Sequence, residues 1–365
     1  MVGGDPLGSV GVRECGAGLA WYPWRSVEAV TVGFEWRARL RKAAPHIIVG
    51  AIIGSGALLL AIRGVEWRAV GSALLRTDST MVLLALGSVV VTLALSVVRW
   101  RLLFAPDHRN RPWLPFAGAI LIGQTVNTAI PARIGELARM YLISRREGLS
   151  RARVAATIVV EKVADLAVFA VSIGLLVVAM SLPAWMARSG VAFVGTAAAL
   201  VMATMALTFW SDRFLRVVER AATRLPRRWA VKVLRFAEAA LDALRSLRDW
   251  RIGLLIWLLS AAVLLCSILT NYLVFGALGM ALSPVAALFL AVVLRIGATP
   301  SGPGRIGLFH YLVVVALSVF GVDRTTALSY SFVLYAVAVV PVLIAGMASA
   351  FVFRWSPPPP VVAGQ

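Results

Sequence analysis

A first cluster of residues that could bind an anion lies between positions 124 and 139, inside an otherwise apolar stretch. Its members are Gln124, Asn127, Pro131, Arg133, Gly135, Glu136 and Arg139. A helix that starts at Pro131 would carry Arg133, Glu136 and Arg139 on one side, because they recur every three residues. The free N–H groups at a helix start favour an anion, and a neighbouring arginine can bind phosphate in a bidentate geometry. The cluster therefore predicts a phosphate-binding site.

Two further clusters interrupt later apolar runs. Glu161, Lys162 and Asp165 lie within one helical turn of each other. A third cluster, at a predicted helix break, consists of Ser301, Gly304, Arg305, Gly307 and His310. The glycines of this third cluster would let the backbone bend and approach a ligand closely. Ionisable groups inside apolar runs are costly, so they are expected to pair with one another or to face a water-filled cavity.

The charges in these apolar surroundings do not balance. Five basic side chains stand against three acidic ones: Arg133, Arg139, Lys162, Arg295 and Arg305 against Glu136, Glu161 and Asp165. The excess of positive charge predicts an anionic partner, such as a lipid phosphate. The same residues have a structural interpretation, in which Arg133–Glu136 and Lys162–Asp165 are ion pairs that hold helices together. For the set as a whole we favour binding, because charges within a membrane are rare without a role.

The composition indicates that a membrane surrounds these clusters. Of the 365 residues, 60% are hydrophobic and only 15% are charged, with a mean hydropathy of +0.86. Soluble domains are nearer half apolar and carry about a quarter charged residues. The net charge of +19 would suit nucleic acid, but the basic residues lie between long apolar runs, where they are typical of anchors on an anionic membrane face.

No cofactor and no metal site are expected from this sequence. The two cysteines, Cys15 and Cys266, lie in a polar tail and in an apolar run, and neither a disulfide framework nor a thiolate site follows from them. The three histidines are scattered and show no ligand spacing. Nucleic acid is not an expected partner either.

Apolar runs predict the fold class, since a helix needs about 20 apolar residues to span a bilayer. Six runs qualify or nearly qualify: 44–62, 80–104, 153–181, 190–210, 252–279 and 326–353. Two pairs of shorter runs, 115–130 with 132–143 and 284–298 with 308–321, predict hairpins that return to the side from which they enter. The prediction is an all-α, polytopic membrane helix bundle with about six full spans plus two re-entrant helical hairpins.

The basic residues predict the orientation of the spans. They concentrate before the first span, in two short loops and in the linker 211–251, and cytoplasmic loops are rich in Lys and Arg. Both termini are therefore expected in the cytoplasm, and the chain in the cell membrane. The predicted domains are a tail, a transmembrane domain and a Pro-rich tail: 1–43, 44–353 and 354–365. Within the transmembrane domain, 80–181 and 252–353 have the pattern of an inverted repeat, whose interface is where transporters bind substrate.

At the first cluster the sequence resembles the lysylphosphatidylglycerol synthase transmembrane-domain family, which includes the flippase half of the bacterial multiple peptide resistance factor. That family has an Asn, then Pro-x-Arg-x-Gly-Glu, then an Arg, and the stretch from Asn127 to Arg139 is similar to this pattern. The resemblance covers roughly residues 45–353. It implies a membrane domain that handles a lipid.

The other two clusters also resemble patterns of that family. The Glu-Arg-x-x-Asp pattern is similar to 161–165, with Lys162 in place of Arg. The Pro-Gly-Gly-x-Gly-x-x-Glu pattern is similar to 303–310, with Arg305 in place of Gly and His310 in place of Glu. What the resemblance implies is the movement of a phospholipid or a polyprenyl-phosphate-linked lipid between leaflets.

The leading hypothesis is a flippase or scramblase-like transporter of an anionic lipid, and not an enzyme. Arg133, Arg139 and Arg305 would hold the phosphate, and the acyl chains would stay in the lipid phase. Two alternatives are a membrane-embedded transferase and an accessory scaffold, acting on lipid-linked sugars or aminoacyl lipids. The expected partners are anionic membrane lipids, with a glycosyltransferase or a second copy of this chain as further candidates.

Overall fold

The structure is a computed structural model of the whole chain. It describes residues 49–104, 112–130, 134–180, 190–199, 201–202, 211–223, 249–297 and 305–355, together with a few positions between 226 and 241. All regular secondary structure in these residues is α-helical. The predicted tails 1–43 and 354–365 lie almost wholly outside the described residues, as does about half of the linker 211–251. The domain boundaries remain predictions.

The described residues form a bundle of long and short helices. In chain order they are α1 Val49–Ile62, α2 Trp67–Leu75, α3 Ser79–Leu102, α4 Trp113–Ala129, α5 Gly135–Arg146, α6 Arg151–Ala179, α7 Gly190–Ala199, α8 Ser211–Ala222, α9 Trp250–Ala277, α10 Pro284–Gly297, α11 Arg305–Ser318, α12 Arg324–Ala338 and α13 Val340–Trp355.

Four stretches of this bundle are long and apolar enough to cross a membrane. They are α3, α6, α9 and the consecutive pair α12 and α13, over Arg324–Val352. A fifth is reached if α1 and α2, which meet at an angle of 86°, count as one span. The all-helical membrane fold is therefore confirmed, whereas the predicted count of six spans is not. Helix α2 was missed, because Arg68 and the flanking Arg63 and Arg76 made 63–76 resemble a polar loop.

Both predicted hairpins correspond to pairs of short helices, α4 with α5 and α10 with α11. Helix α4 ends at the extended residue Ile130, as expected immediately before a proline. Helices of 12 to 17 residues are roughly 18–26 Å long, less than the 30 Å of a bilayer core. Their lengths suit re-entrant hairpins, and their depth in a membrane stays a prediction.

The second helix of the first pair starts later than predicted. We expected Pro131 at its first position, but Ile134 is the N-cap residue and the helix begins at Gly135. The start of α5 makes a close approach to α4. A Cβ atom on Gly135 would collide with the carbonyl oxygen of Gly123 in α4. Only glycine lets the start of α5 lie against α4 in this way.

Polar contacts and aromatic side chains hold the long helices together. Helices α3 and α9 are joined by Ser88, whose hydroxyl lies 2.9 Å from the hydroxyl of Thr270. Hydroxyl groups of this kind are common between membrane helices. Trp100 of α3 is fully buried and packs edge-to-face against Phe104 and Phe116, which fixes the end of α3 against α4.

The last long stretch is divided at Val339, between α12 and α13. Pro341 explains the division, because it lacks an N–H group and leaves the carbonyl oxygen of residue 337 without its helical donor. The two halves pack on different partners. Helix α12 packs on α11, and α13 packs on α4, where Gly346 lies against Leu121 and Thr125.

Candidate functional site

A polar cavity of about 310 Å³ opens among α3, α4, α5, α6, α10 and α11, and α9, α12 and α13 complete its wall. It brings together eight of the predicted site residues: Gln124, Asn127, Glu136, Arg139, Glu161, Lys162, Asp165 and Arg305. They come from both short-helix pairs and from α6. The sequence clusters that were distant along the chain therefore meet at one place.

Asn127 of α4 contacts the first two residues of α5. Its Oδ1 accepts a hydrogen bond of 2.7 Å from the N–H of Gly135, and its Nδ2 donates to Glu136 at 3.2 Å. One of the free N–H groups at this helix start, which we expected to attract an anion, is therefore satisfied by a side chain of the neighbouring helix. The Asn of the sequence pattern therefore caps the start of α5 through its contacts with the Gly-Glu of the same pattern.

Glu161 is the most heavily paired carboxylate of the cavity. Arg139 donates to it through both terminal nitrogens, at 3.4 Å and 2.8 Å, and Arg99 donates at 3.1 Å. The guanidinium of Arg139 also stacks 4.1 Å from the ring centre of Trp100, and its side chain lies against Gly123. Arg139 is thus held on three sides by the protein.

Asp165 pairs with two arginines of different helices. Arg99 of α3 donates to its Oδ1 at 2.5 Å, and Arg295 of α10 approaches its Oδ2 at 3.5 Å. The same nitrogen of Arg99 donates to the hydroxyl of Ser260 in α9, at 3.0 Å. The suggested ion pair Lys162–Asp165 is therefore wrong, because each residue pairs elsewhere. The suggested pair Arg133–Glu136 stays a prediction, because Arg133 lies outside the described residues.

The more accessible charges lie near the cavity opening. Lys162 approaches Glu136 at 3.6 Å, and the two side chains are 50% and 27% exposed. Arg305 donates to the hydroxyl of Thr128 at 3.5 Å. These groups are better placed than Arg99 or Arg139 to contact a molecule that enters the cavity.

Other predicted residues lie away from the cavity or outside the described residues. Gly307 packs against the backbone of Gly54, so it brings α11 close to α1. His310 is buried, 2.8 Å from the hydroxyl of Ser331, and packs among aromatic rings. Gly135 adjoins the cavity through Asn127. Four predicted residues fall outside the described part of the chain: Pro131, Arg133, Ser301 and Gly304.

Arg99 lines the cavity and was not among the predicted site residues. It lies near the end of an apolar run beside Arg101, and we had counted it with a cytoplasmic group of basic residues. A signal was nevertheless present, because Thr92, Ser96 and Arg99 recur at helical spacing and form one polar stripe on α3. All three line the cavity. Arg295, which we had placed at membrane depth without a site role, lines it too.

The charged residues lining the cavity carry a positive excess. Over the described lining residues there are five basic and three acidic side chains, a formal excess of two positive charges: Arg99, Arg139, Lys162, Arg295 and Arg305 against Glu136, Glu161 and Asp165. Within the described residues, no group of three or more His, Cys, Asp or Glu side chains could hold a metal ion.

A second cavity of about 350 Å³ adjoins the first. Both are lined by Arg295 and Arg305, together with Thr92, Ser96 and Gln124. Beyond these shared residues the wall of the second cavity is mainly apolar, with Leu93, Leu264, Leu294, Phe309 and Leu334 among its members. The two cavities thus share part of their walls, and the first is lined by charges whereas the second is mainly apolar.

A comparison with models of protein families identifies the family of this chain. The family model described as the lysylphosphatidylglycerol synthase TM region matches residues 47–346. The chain belongs to this family. No curated protein matches it. Every residue that lines the polar cavity falls within the part that matches the lysylphosphatidylglycerol synthase TM region. With its long apolar helices, the chain is a multi-pass membrane protein of a family tied to lipid handling.

Proposed function

We propose that this protein moves an anionic lipid between the leaflets of the cell membrane, as a flippase or scramblase. The lipid would be a phospholipid or a polyprenyl-phosphate-linked lipid, and the protein would be a translocator and not an enzyme. The basic loops would face the cytoplasm, together with both termini. Membership of a lipid-handling family supports the general class, and the cavity supports the choice of an anion.

The observation that carries the proposal is the positive excess inside a membrane bundle. Burying charges costs free energy, and an unbalanced buried set costs more than a balanced one. An anionic headgroup would reduce this imbalance, because a phosphate carries negative charge and accepts the hydrogen bonds that arginine and lysine donate. Lys162, Arg295 and Arg305 are the cations nearest to the opening of the cavity.

The adjoining cavity suits the rest of a lipid. Arg295 and Arg305 line the boundary between the charged space and the apolar space. A phosphate held there would have its polar headgroup on the charged side, and the first part of its hydrocarbon on the apolar side. Each cavity has the size of a small-molecule pocket, for which about 300–1,000 Å³ is typical.

The pairing of the carboxylates favours transport over the transferase alternative. A general base needs a carboxylate that can take a proton from the substrate. Glu161 and Asp165, however, are each held by two arginines. Glu136 is engaged by Asn127 and Lys162. These contacts suit carboxylates that position cations better than carboxylates that exchange protons during a reaction.

Lipid movement in proteoliposomes tests the proposal. Purified protein would be reconstituted with fluorescent anionic, zwitterionic and polyprenyl-phosphate lipids, and translocation would be followed by quenching from outside. Arg295→Gln removes a cation that lines both cavities, and we expect it to slow movement of the anionic lipids at least about tenfold. Arg68→Gln, which removes an exposed cation of α2 far along the chain from any lining residue, is the matched control.

The outcomes separate transport from its alternatives. Movement of anionic lipid that Arg295→Gln slows and Arg68→Gln leaves unchanged would support transport through this site. If the folded protein moves no lipid, with or without an imposed proton gradient, then the transport proposal is wrong. A covalently altered lipid in the same vesicles, detected by mass spectrometry, would point to the transferase.

A further inference from the structure

Arg99 is the most deeply buried cation of the polar cavity. Its side chain is only 3% exposed, and it contacts three partners on two other helices. One terminal nitrogen donates to Asp165 and to Ser260, and the other donates to Glu161. A buried guanidinium with all these partners cannot be reached easily by a ligand, so its role differs from that of the cations near the opening.

Arg99 is the central member of a chain of alternating charges. In order of contact the chain is Arg139, Glu161, Arg99, Asp165 and Arg295. It starts on α5, in the first short-helix pair, passes through α6 and α3, and ends on α10, in the second pair. The last member, Arg295, is 39% exposed, whereas the first three are nearly inaccessible.

The geometry explains what Arg99 does to its neighbours. Glu161 and Asp165 lie one turn apart on α6, so their charges repel unless a cation lies between them. Arg99 provides that cation. At Asp165 its contact is the shorter of two, 2.5 Å against 3.5 Å for Arg295. Arg99 is therefore the main partner of Asp165. Because Arg295 contacts Asp165 only at the longer distance, it can still donate hydrogen bonds to another anion.

We propose that Arg99 is a positioning residue that keeps Arg295 available to a phosphate group. Without Arg99, Asp165 would pair fully with Arg295 and remove the cation from the boundary of the two cavities. The ligand chemistry is a phosphate ester or free phosphate at Arg295. This inference rests on the proposed function, because it assumes that the cavity binds an anion.

The inference predicts an unusual pattern among three variants. Arg99→Gln should weaken phosphate binding by about tenfold or more, since Asp165 then competes for Arg295. Asp165→Asn should tighten binding, because it releases Arg295 and leaves Arg99 paired with Glu161. The double variant should bind close to the wild-type affinity, because the competing carboxylate is gone. A purely structural role for Arg99 would not make Asp165→Asn bind phosphate more tightly than the wild type, so this single variant separates the two roles.

Binding to purified protein in nanodiscs of zwitterionic lipid measures this pattern. Titration calorimetry with short-chain dihexanoyl phosphatidylglycerol and, separately, with inorganic phosphate would show whether the ester or the free ion is recognised. Arg68→Gln is the control for loss of one positive charge outside the cavity. Thermal unfolding of each variant would show which of them are folded.

Each result has a defined meaning. If the wild type binds neither probe, the proposed function fails and this inference with it. If the wild type binds, but the folded double variant stays as weak as Arg99→Gln, the inference is wrong and the proposed function is untouched. If Arg99→Gln does not fold, Asp165→Asn alone decides, and unchanged or weaker binding would overturn the inference.

Discussion

Replacing Glu161 with glutamine should destabilise the protein far more than the same replacement at Glu136. Glu161 is buried and accepts hydrogen bonds from Arg99 and Arg139. Glutamine preserves its volume but removes its charge, so Arg139 loses its paired anion. Breaking a buried ion pair by removing one partner costs about 3–5 kcal/mol. At Glu136 the pair with Lys162 is long and half-exposed, and such pairs contribute about 0–1 kcal/mol.

Unfolding of the purified protein in mixed micelles, by titration with sodium dodecyl sulfate, would measure both changes. The comparison is a matched one, because the two residues line the same cavity and undergo the same substitution. A second variant, Arg139→Gln with Glu161→Gln, removes both charges of the pair. It should recover part of the lost free energy of unfolding, and the recovered part is the coupling between the two side chains.

Equal effects of Glu161→Gln and Glu136→Gln would refute the reasoning. They would mean that water or another group compensates Arg99 and Arg139 as well as a carboxylate does. The ion pairs of the cavity would then contribute nothing particular to stability, and the distinction between deeply buried and accessible charges would lose its support.

Two other predictions concern a close helix contact and a helix cap. Gly135→Ala should reduce the free energy of unfolding by about 1–3 kcal/mol, because the new methyl group meets the Gly123 carbonyl. The control is Gly87→Ala, which lies in open space on α3 and should not reduce the free energy of unfolding. A loss at both positions would contradict the packing argument. Hydrogen bonds from Thr326 lower the pKa of Asp323, the N-cap residue of α12. The stabilisation by this cap is therefore complete above the ordinary aspartate pKa of about 4 and is lost as the pH falls through the lowered folded-state value. Asp323→Ala should lower the unfolding temperature at pH 7, by the equivalent of about 1 kcal/mol. The difference in unfolding temperature between the variant and the wild type should shrink in acid. If this difference is the same at pH 7 and at pH 3, the prediction is wrong.

The membrane fold was predictable because its signals are local. Hydropathy marks each long helix within its own residues, and prolines and glycines mark the ends of the short ones. The break at Val339 was not predicted, since the run 326–353 is apolar throughout and we gave no weight to Pro341. Helix α2 was missed for the opposite reason, because Arg68 and the flanking Arg63 and Arg76 outweighed its apolar face, on which Val70 is buried.

The site was predictable in part. The clusters around Glu136 and Glu161 were expected to lie together, because charges in apolar runs need partners. Which charge meets which could not be deduced, since the contacts of Asp165 with Arg99 and Arg295 join residues far apart in the chain. Basic residues near a helix end usually lie on the cytoplasmic side, and we therefore placed Arg99 there. Only the contacts of Arg99 with α6 and α9 show that it lies inside the bundle.

The division of the last long helix has a mechanical consequence. Its first half, α12, is attached to the second short-helix pair through α11, and its second half, α13, is attached to the first pair through α4. The joint between the halves lies at Val339, which lines both cavities. If one pair slides against the other, we expect this joint to bend, because Pro341 has already removed a backbone hydrogen bond that would resist bending. We then expect the width of the cavities and the angle of this helix to change together, and a distance measured between two spin labels on α12 and α13 would test this.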